Sequence, residues 1–110
     1  MTRRMTYEYY KTLIGEYINC GRSEERLLGE IGFPADLDLE ADQFVEAIHI
    51  IAAAADNNIT SLIKLSGLSQ TAFGRKLNIP LRTVQSWVGG VRQPPEYISI
   101  LIGWVLVSDL

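Results

Sequence analysis

The chain has 110 residues, of which 47% are hydrophobic and 21% charged. That is enough apolar material for one domain with a real core, or for one domain and a substantial extension, and it excludes disorder throughout. The net charge of −3 conceals a split: residues 1–59 carry five basic and eleven acidic residues, a net of −6, whereas residues 60–110 carry five basic and two acidic, a net of +3.

Opposite signs are expected where only the second half approaches phosphate, and so small a surplus implies non-specific binding that is weak and sensitive to salt. The single Cys20 can form no internal disulfide and has no partner at metal-ligand spacing. It reads as a small, half-buried hydrophobe, and with no signal peptide the expected compartment is the cytoplasm. The longest apolar runs, 48–55 and 98–107, fall well short of the roughly 20 residues that span a bilayer, so no membrane partner is expected.

Residues 1–6 read as a loose end. Arg3 and Arg4 leave a basic minor-groove arm as the alternative. From residue 7 to about 20, Tyr10, Leu13, Ile14, Tyr17 and Ile18 recur at three- and four-residue spacing, the pattern of an amphipathic helix that Gly21 ends. Ser23 then caps a short helix with Glu24 and Glu25 in its first turn, where carboxylates suit the dipole. Leu27, Leu28 and Ile31 form its apolar face, and Gly32–Phe33–Pro34 closes it.

Asp36, Asp38, Glu40 and Asp42 alternate as in a calcium loop. That loop requires a Gly where Ala41 stands and a Glu where Ala47 stands, so the segment reads instead as a turn before an acid-capped helix, and no metal site or cofactor is expected. The helix spans about 39–56 with Phe44, Val45, Ile48, Ile51 and Ala52 inward. Its alanines favour the helix and leave room for close neighbours. His49, the one histidine, has no ligand partner four residues away and no nucleophile setting; it reads as a surface or packed side chain. Asn57–Asn58 marks the boundary between an acidic helical region of about three helices (1–57) and a second unit (58–110).

Beyond it, Ile59, Leu62, Ile63 and Leu65 predict a helix over about 60–66. The stretch 67–87 reads GLSQTAFGRKLNIPLRTVQSW. Ser69 is a good N-cap, Phe73 and Leu77 share one face, and Gly74 allows a close crossing that offsets its helix cost of about 1 kcal/mol. Asn78 suits a left-handed helix end, Ile79 the angle between helices, and Pro80 the first position of the next helix. In that helix Val84 and Trp87 turn inward while Leu81, Arg82, Gln85 and Ser86 face out.

This segment resembles the XRE-type, lambda-repressor-like helix-turn-helix family through Leu68, Gln70, Phe73, Gly74, Leu77, Ile79, Thr83, Val84 and Trp87, with Gly90, Arg92, Gln93 and Pro94 closing the motif. The resemblance covers residues 58–110 and implies a DNA-binding domain within an all-α fold. In the family the first helix rests on the DNA backbone and the second lies in the major groove. Carried over by position, it implies Leu81, Arg82, Gln85 and Ser86 as base-contacting residues: Arg82 bidentate to guanine, Gln85 to adenine, Leu81 against a thymine methyl. Gln70, Thr83, Arg92 and Gln93 are implied as phosphate contacts. Three departures, Pro80 for a Ser or Thr cap, Val88 for Glu and Val91 for Lys or Arg, each remove a polar group and predict modest affinity.

Gly89–Gly90 stops the second helix, and Pro94–Pro95 opens a last one over about 95–108. Apolar residues surround that helix on almost every face, more than one small domain covers. Two buriers are available: the acidic N-terminal half, or the same helix in a second copy. A homodimer is favoured, with recognition helices one DNA turn (roughly 34 Å) apart on a palindromic operator.

The function expected is that of a sequence-specific transcriptional regulator, a repressor or an antitoxin-like protein whose residues 7–56 bind a protein partner. The alternative is a protein-interaction module that keeps the fold without strong DNA binding. An enzyme is not expected: one His, one Cys, no phosphate-cradling glycine loop and no nucleophile elbow leave no mechanism to build.

Overall fold

Four helices start where a side chain accepts from a backbone amide three residues on. Thr6 accepts from Tyr9 (3.0 Å), Ser23 from Arg26 (3.2 Å), Asn58 from Ser61 (3.2 Å) and Ser69 from Ala72 (3.1 Å), each cap contributing about 1 kcal/mol. The computed structural model describes residues 3–110, and among these lie seven α-helices and no strand. They are α1 (Tyr7–Asn19), α2 (Glu24–Ile31), α3 (Ala41–Ala55), α4 (Ile59–Ser66), α5 (Gln70–Leu77), α6 (Leu81–Val88) and α7 (Glu96–Ser108). The all-α class expected from the sequence is the one found.

The axis of the fold is α3, which packs against α1, α2, α4 and α7. Phe44, Ile48, Ile51 and Ala52 are buried as expected, but so are Ala47, Ile50, Ala53 and Ala54, while Val45 is only half-buried. This helix is therefore enclosed on nearly every side rather than along one stripe, because its run of alanines lets neighbours approach from several directions. It starts at Ala41, two residues later than the periodicity predicts. Glu40 is still extended, and its amide donates to Gln43 Oε1 (2.9 Å) in a capping box.

The apolar α7 is buried by the same chain. Ile102, Leu106 and Val107 lie in one core with Leu13, Ile48, Ile51 and Leu62. Contact with α3 is so close at Gly103 that a Cβ there would sit 2.8 Å from Ala54 Cβ and collide with the Tyr10 hydroxyl. That hydroxyl donates to the Ile100 carbonyl (2.6 Å), and burial pushes its ionisation up. Of the two buriers, the N-terminal half is the one observed, so covering α7 does not require a second copy. Tyr97 and Leu101 stay exposed on its outer side.

The N-terminal segment departs from the expected loose end. Met1 and Thr2 lie outside the described residues, but the Arg3 amide donates to Asp36 O (2.6 Å) and its carbonyl accepts from the Asp38 amide (2.7 Å), forming a bridge to Leu37. Arg3 Nε also meets Asp36 Oδ2 at 2.6 Å, which holds that carboxyl below its ordinary range, and the guanidinium lies over the Tyr9 ring. Engaged in this way, Arg3 is tied to the N-terminal half. Ile18, expected on the inner face of α1, is 41% exposed.

The predicted boundary at Asn57–Asn58 is a point of attachment. Asn57 takes a left-handed conformation (φ 54°), donates from Nδ2 to the Pro94 carbonyl (2.8 Å) and accepts at Oδ1 from the fully buried Ser99 hydroxyl. One residue earlier, Asp56 accepts from Tyr17 (2.8 Å) and from Arg22 (2.6 Å). Burial and this bond to Asp56 push the Tyr17 hydroxyl up to about 12.

Candidate nucleic-acid interface

A tight turn over Asn78–Pro80 joins α5 to α6, and Gly74 makes it possible. A Cβ at Gly74 would lie 2.7 Å from the Ile79 carbonyl oxygen and 3.5 Å from Val84 Cγ2, so a side chain there would prise the turn off the helix. Asn78 is left-handed (φ 56°, ψ 42°), and the Ile79 amide donates back to Gly74 O at 2.8 Å. Both features follow the sequence reading. Pro80 differs by one place: it is the N-cap of α6, not its first residue, and its carbonyl accepts from Thr83 (2.9 Å) and Val84 (3.2 Å). It offers no side-chain acceptor, so the Leu81 and Arg82 amides at the start of α6 are left for water or an anion.

The side chains of α6 divide cleanly. Val84 is fully buried, Trp87 and Val88 pack half-buried against the core, and Arg82 and Gln85 are exposed with Leu81 beside them at 39%. At 100° per residue Arg82 and Gln85 stand opposite the Val84–Trp87 side, with Leu81 and Ser86 flanking them. Ser86 is half-buried, a less open position than its outward assignment implies. Its carbonyl accepts from the Val91 amide (3.0 Å) and, at longer range, from the Arg92 amide (3.4 Å). The loop after α6 therefore folds back and sets the Arg92 backbone beside the C-terminal end of the exposed stripe. Gly90 makes that reversal with φ 75°.

Of the phosphate candidates, Arg92 and Gln93 are exposed and consecutive, whereas Gln70 and Thr83 are half-buried in the first turns of α5 and α6. The structure thus gathers Leu81, Arg82, Gln85 and Ser86 on one helix and brings Arg92 to its end. Arg75 was not among the residues carried over by position. It is exposed in the last turn of α5, just ahead of the turn, and only the charge count signals it.

Electrostatics separate the halves further. Of the five basic residues in the first half, Arg3, Lys11 and Arg22 are each held by a carboxylate, while Arg4 and Arg26 have no ion-pair partner among the described residues. In the second half Lys76 is tied to Asp109 at 2.7 Å, but Lys64, Arg75, Arg82 and Arg92 have no ion-pair partner among the described residues. His49, read as a surface or packed side chain, is half-exposed and pairs through Nδ1 with Glu24. No helix among the described residues is long and apolar enough to cross a membrane. No family model, curated protein or solved structure matches the chain.

Proposed function

We propose that the chain is a sequence-specific DNA-binding transcriptional regulator of the XRE-type, lambda-repressor-like class, acting in the cytoplasm by occupying an operator and not by chemistry. In this reading residues 58–110 are the DNA-binding domain, with α5 and α6 as its helix-turn-helix. The observation that carries it is the α6 stripe: Arg82 and Gln85 are exposed opposite a fully buried Val84, on a helix locked to its neighbour by the Gly74 turn. A guanidinium and a primary amide side by side are the groups that read guanine and adenine edges. The unpaired Arg75 and Arg92 supply charge for phosphate.

Two copies related by a two-fold axis would set their α6 helices about one DNA turn (roughly 34 Å) apart, so the operator is expected to be palindromic and the bound species a homodimer. A protein partner on the acidic N-terminal helices fits an antitoxin-like variant. The competing reading, an interaction module without strong DNA binding, draws support from Val91, 79% exposed beside Arg92, and from the missing capping hydroxyl at Pro80.

The deciding experiment titrates the protein against DNA from upstream of its own gene at several salt concentrations, with scrambled DNA and Arg82→Ala as controls. Binding that prefers the real sequence, weakens with salt and loses about 1–3 kcal/mol in the variant supports the regulator. Equal, weak binding in every combination would instead leave the interaction module.

A further inference from the structure

Two sets of helices pack on α3, α1 with α2 and, separately, α4, and they leave a cavity of about 310 Å³ between them. Its floor is made by Ala52 and Ala53, whose small side chains leave it unfilled. Glu24 and Asp56 supply two carboxylates. Glu24 is oriented by His49, and Asp56 by Tyr17 (2.8 Å) and Arg22 (2.6 Å). A carboxylate has about four acceptor positions, so both retain room for another donor. From α4 come Ser61 and Lys64, and the Lys64 ammonium has no ion-pair partner among the described residues.

Fixed carboxylates with an unpaired ammonium and a hydroxyl from α4, over a small apolar floor, complement a molecule that carries both charges. The volume lies at the lower limit of ligand pockets, roughly 300–1,000 Å³, which favours an amino-acid-sized molecule over a nucleotide. We infer that this cavity binds a free α-amino acid as its zwitterion. The ammonium faces Glu24 and Asp56, the carboxylate faces Lys64 and Ser61, and the side chain lies over Ala52 and Ala53.

The same site is joined to the distant loop. Asp56 and Asn58 line the cavity, and the residue between them, Asn57, donates to Pro94 at the end of the segment that carries Arg92 and Gln93. A seated amino acid stiffens the α3–α4 junction and, through Asn57, the 89–94 loop. The consequence of that stiffening for DNA rests on the proposed regulatory function; the binding and the stiffening do not.

The test uses the full chain without DNA. The twenty free L-amino acids are screened at millimolar concentration by thermal shift, and those that raise Tm are titrated calorimetrically. At least one is expected to bind, with Lys64→Met weakening it tenfold or more while the unliganded Tm is unchanged. The carboxamide of the same amino acid, which lacks the anionic group, is expected to lose tenfold against the unaltered protein and nothing further against Lys64→Met.

Hydrogen exchange supplies the second readout. The bound amino acid is expected to slow exchange severalfold at the Val91 and Arg92 amides, and Asn57→Asp, which keeps the acceptor for Ser99 but removes the donor to Pro94, abolishes that slowing without abolishing binding. No binding by any of the twenty, or binding indifferent to Lys64→Met, overturns the assignment. Slowing that persists in Asn57→Asp overturns the relay. A protein that binds no DNA yet passes both tests would remove the regulator reading and leave this one standing.

Discussion

The two halves of the chain use their side chains for different ends. In residues 1–57 the helices are turned towards burial: α3 is enclosed, α1 contributes Tyr10, Leu13, Ile14 and Tyr17 to the core, and Arg3, Lys11 and Arg22 are each held by an acid. In residues 58–110, α6 buries only Val84 completely, and Arg75, Arg82 and Arg92 have no carboxylate partner among the described residues. The two halves share one interior, to which the second contributes Leu62, Phe73, Val84 and the inner side of α7, while α6 keeps a helix face open. A small helix pair presents polar residues on one side only when something else covers its apolar remainder, and here α4, itself packed on α3 and α7, does so.

The largest expected effect comes from separating the halves. A chain of residues 58–110 alone would uncover Ile102, Leu106 and Val107, each contributing about 1.5–3 kcal/mol when buried. Their summed loss is comparable with the whole stability of a small domain, about 5–15 kcal/mol. The fragment is expected to show no cooperative thermal transition by circular dichroism, and a sharp one would mean that the second half folds independently. Gly103→Leu attacks the same junction from inside. The added side chain meets Ala54 and the Tyr10 hydroxyl, and a destabilisation of about 3 kcal/mol is expected in urea titration.

An intermediate effect is expected from Tyr17, which ties α1 to the end of α3. Burial and the bond to Asp56 push its hydroxyl up to about 12 from the ordinary value of 10.0. Because the folded value is raised, its contribution is complete below pH 10 and disappears as pH rises through 10 to 12, where the unfolded chain releases a proton that the fold retains. The loss amounts to roughly 2–3 kcal/mol. Tyr17→Phe is expected to be less stable at pH 8, lacking the bond to Asp56, but to lose less over pH 10–12. Parallel curves for the two proteins would place the alkaline sensitivity elsewhere.

Local signals along the sequence were legible and long-range ones were not. Ser23, Ser69, Asn78 and the Gly74 close approach can be read because each is settled within a few residues of its neighbours. The outward face of α6 is legible for the same reason, since the spacing of Val84 and Trp87 fixes its opposite side. The role of Asn57 is not: it reads as a linker, yet its partners stand 37 and 42 residues away. Enclosure of α3 is hidden as well, because an alanine run signals helix without saying how many neighbours will use the space. Arg3 reads as part of a frayed end because nothing nearby predicts pairing with Asp36, 33 residues on.

Arg82→Ala tests the open half directly. A loss of about 1–3 kcal/mol in specific binding is expected, with stability within about 0.5 kcal/mol of the parent, because the side chain is exposed and unpaired among the described residues. A comparable loss of stability would show that Arg82 serves the fold and would erase the contrast between the halves at its central residue.

The smallest expected effect concerns Lys76, the one basic side chain of residues 60–110 in an ion pair. Its bond to Asp109 links α5 to the end of α7, and both partners are substantially exposed, at 39% and 50%. Exposed pairs contribute about 0–1 kcal/mol, so Asp109→Asn is expected to change the urea midpoint only slightly. The same substitution releases Lys76 and raises the charge of this half by one. If that ammonium reaches a phosphate, the dependence of log affinity on log salt steepens by about 0.9, the effect of one additional contact. An unchanged slope would place Lys76 off the proposed DNA-facing surface and leave the binding charge to the other basic residues of this half, Arg75, Arg82 and Arg92 among them. A steeper slope would mean that Asp109 restrains binding, with the last turn of the chain acting on the face that the rest of the fold holds open.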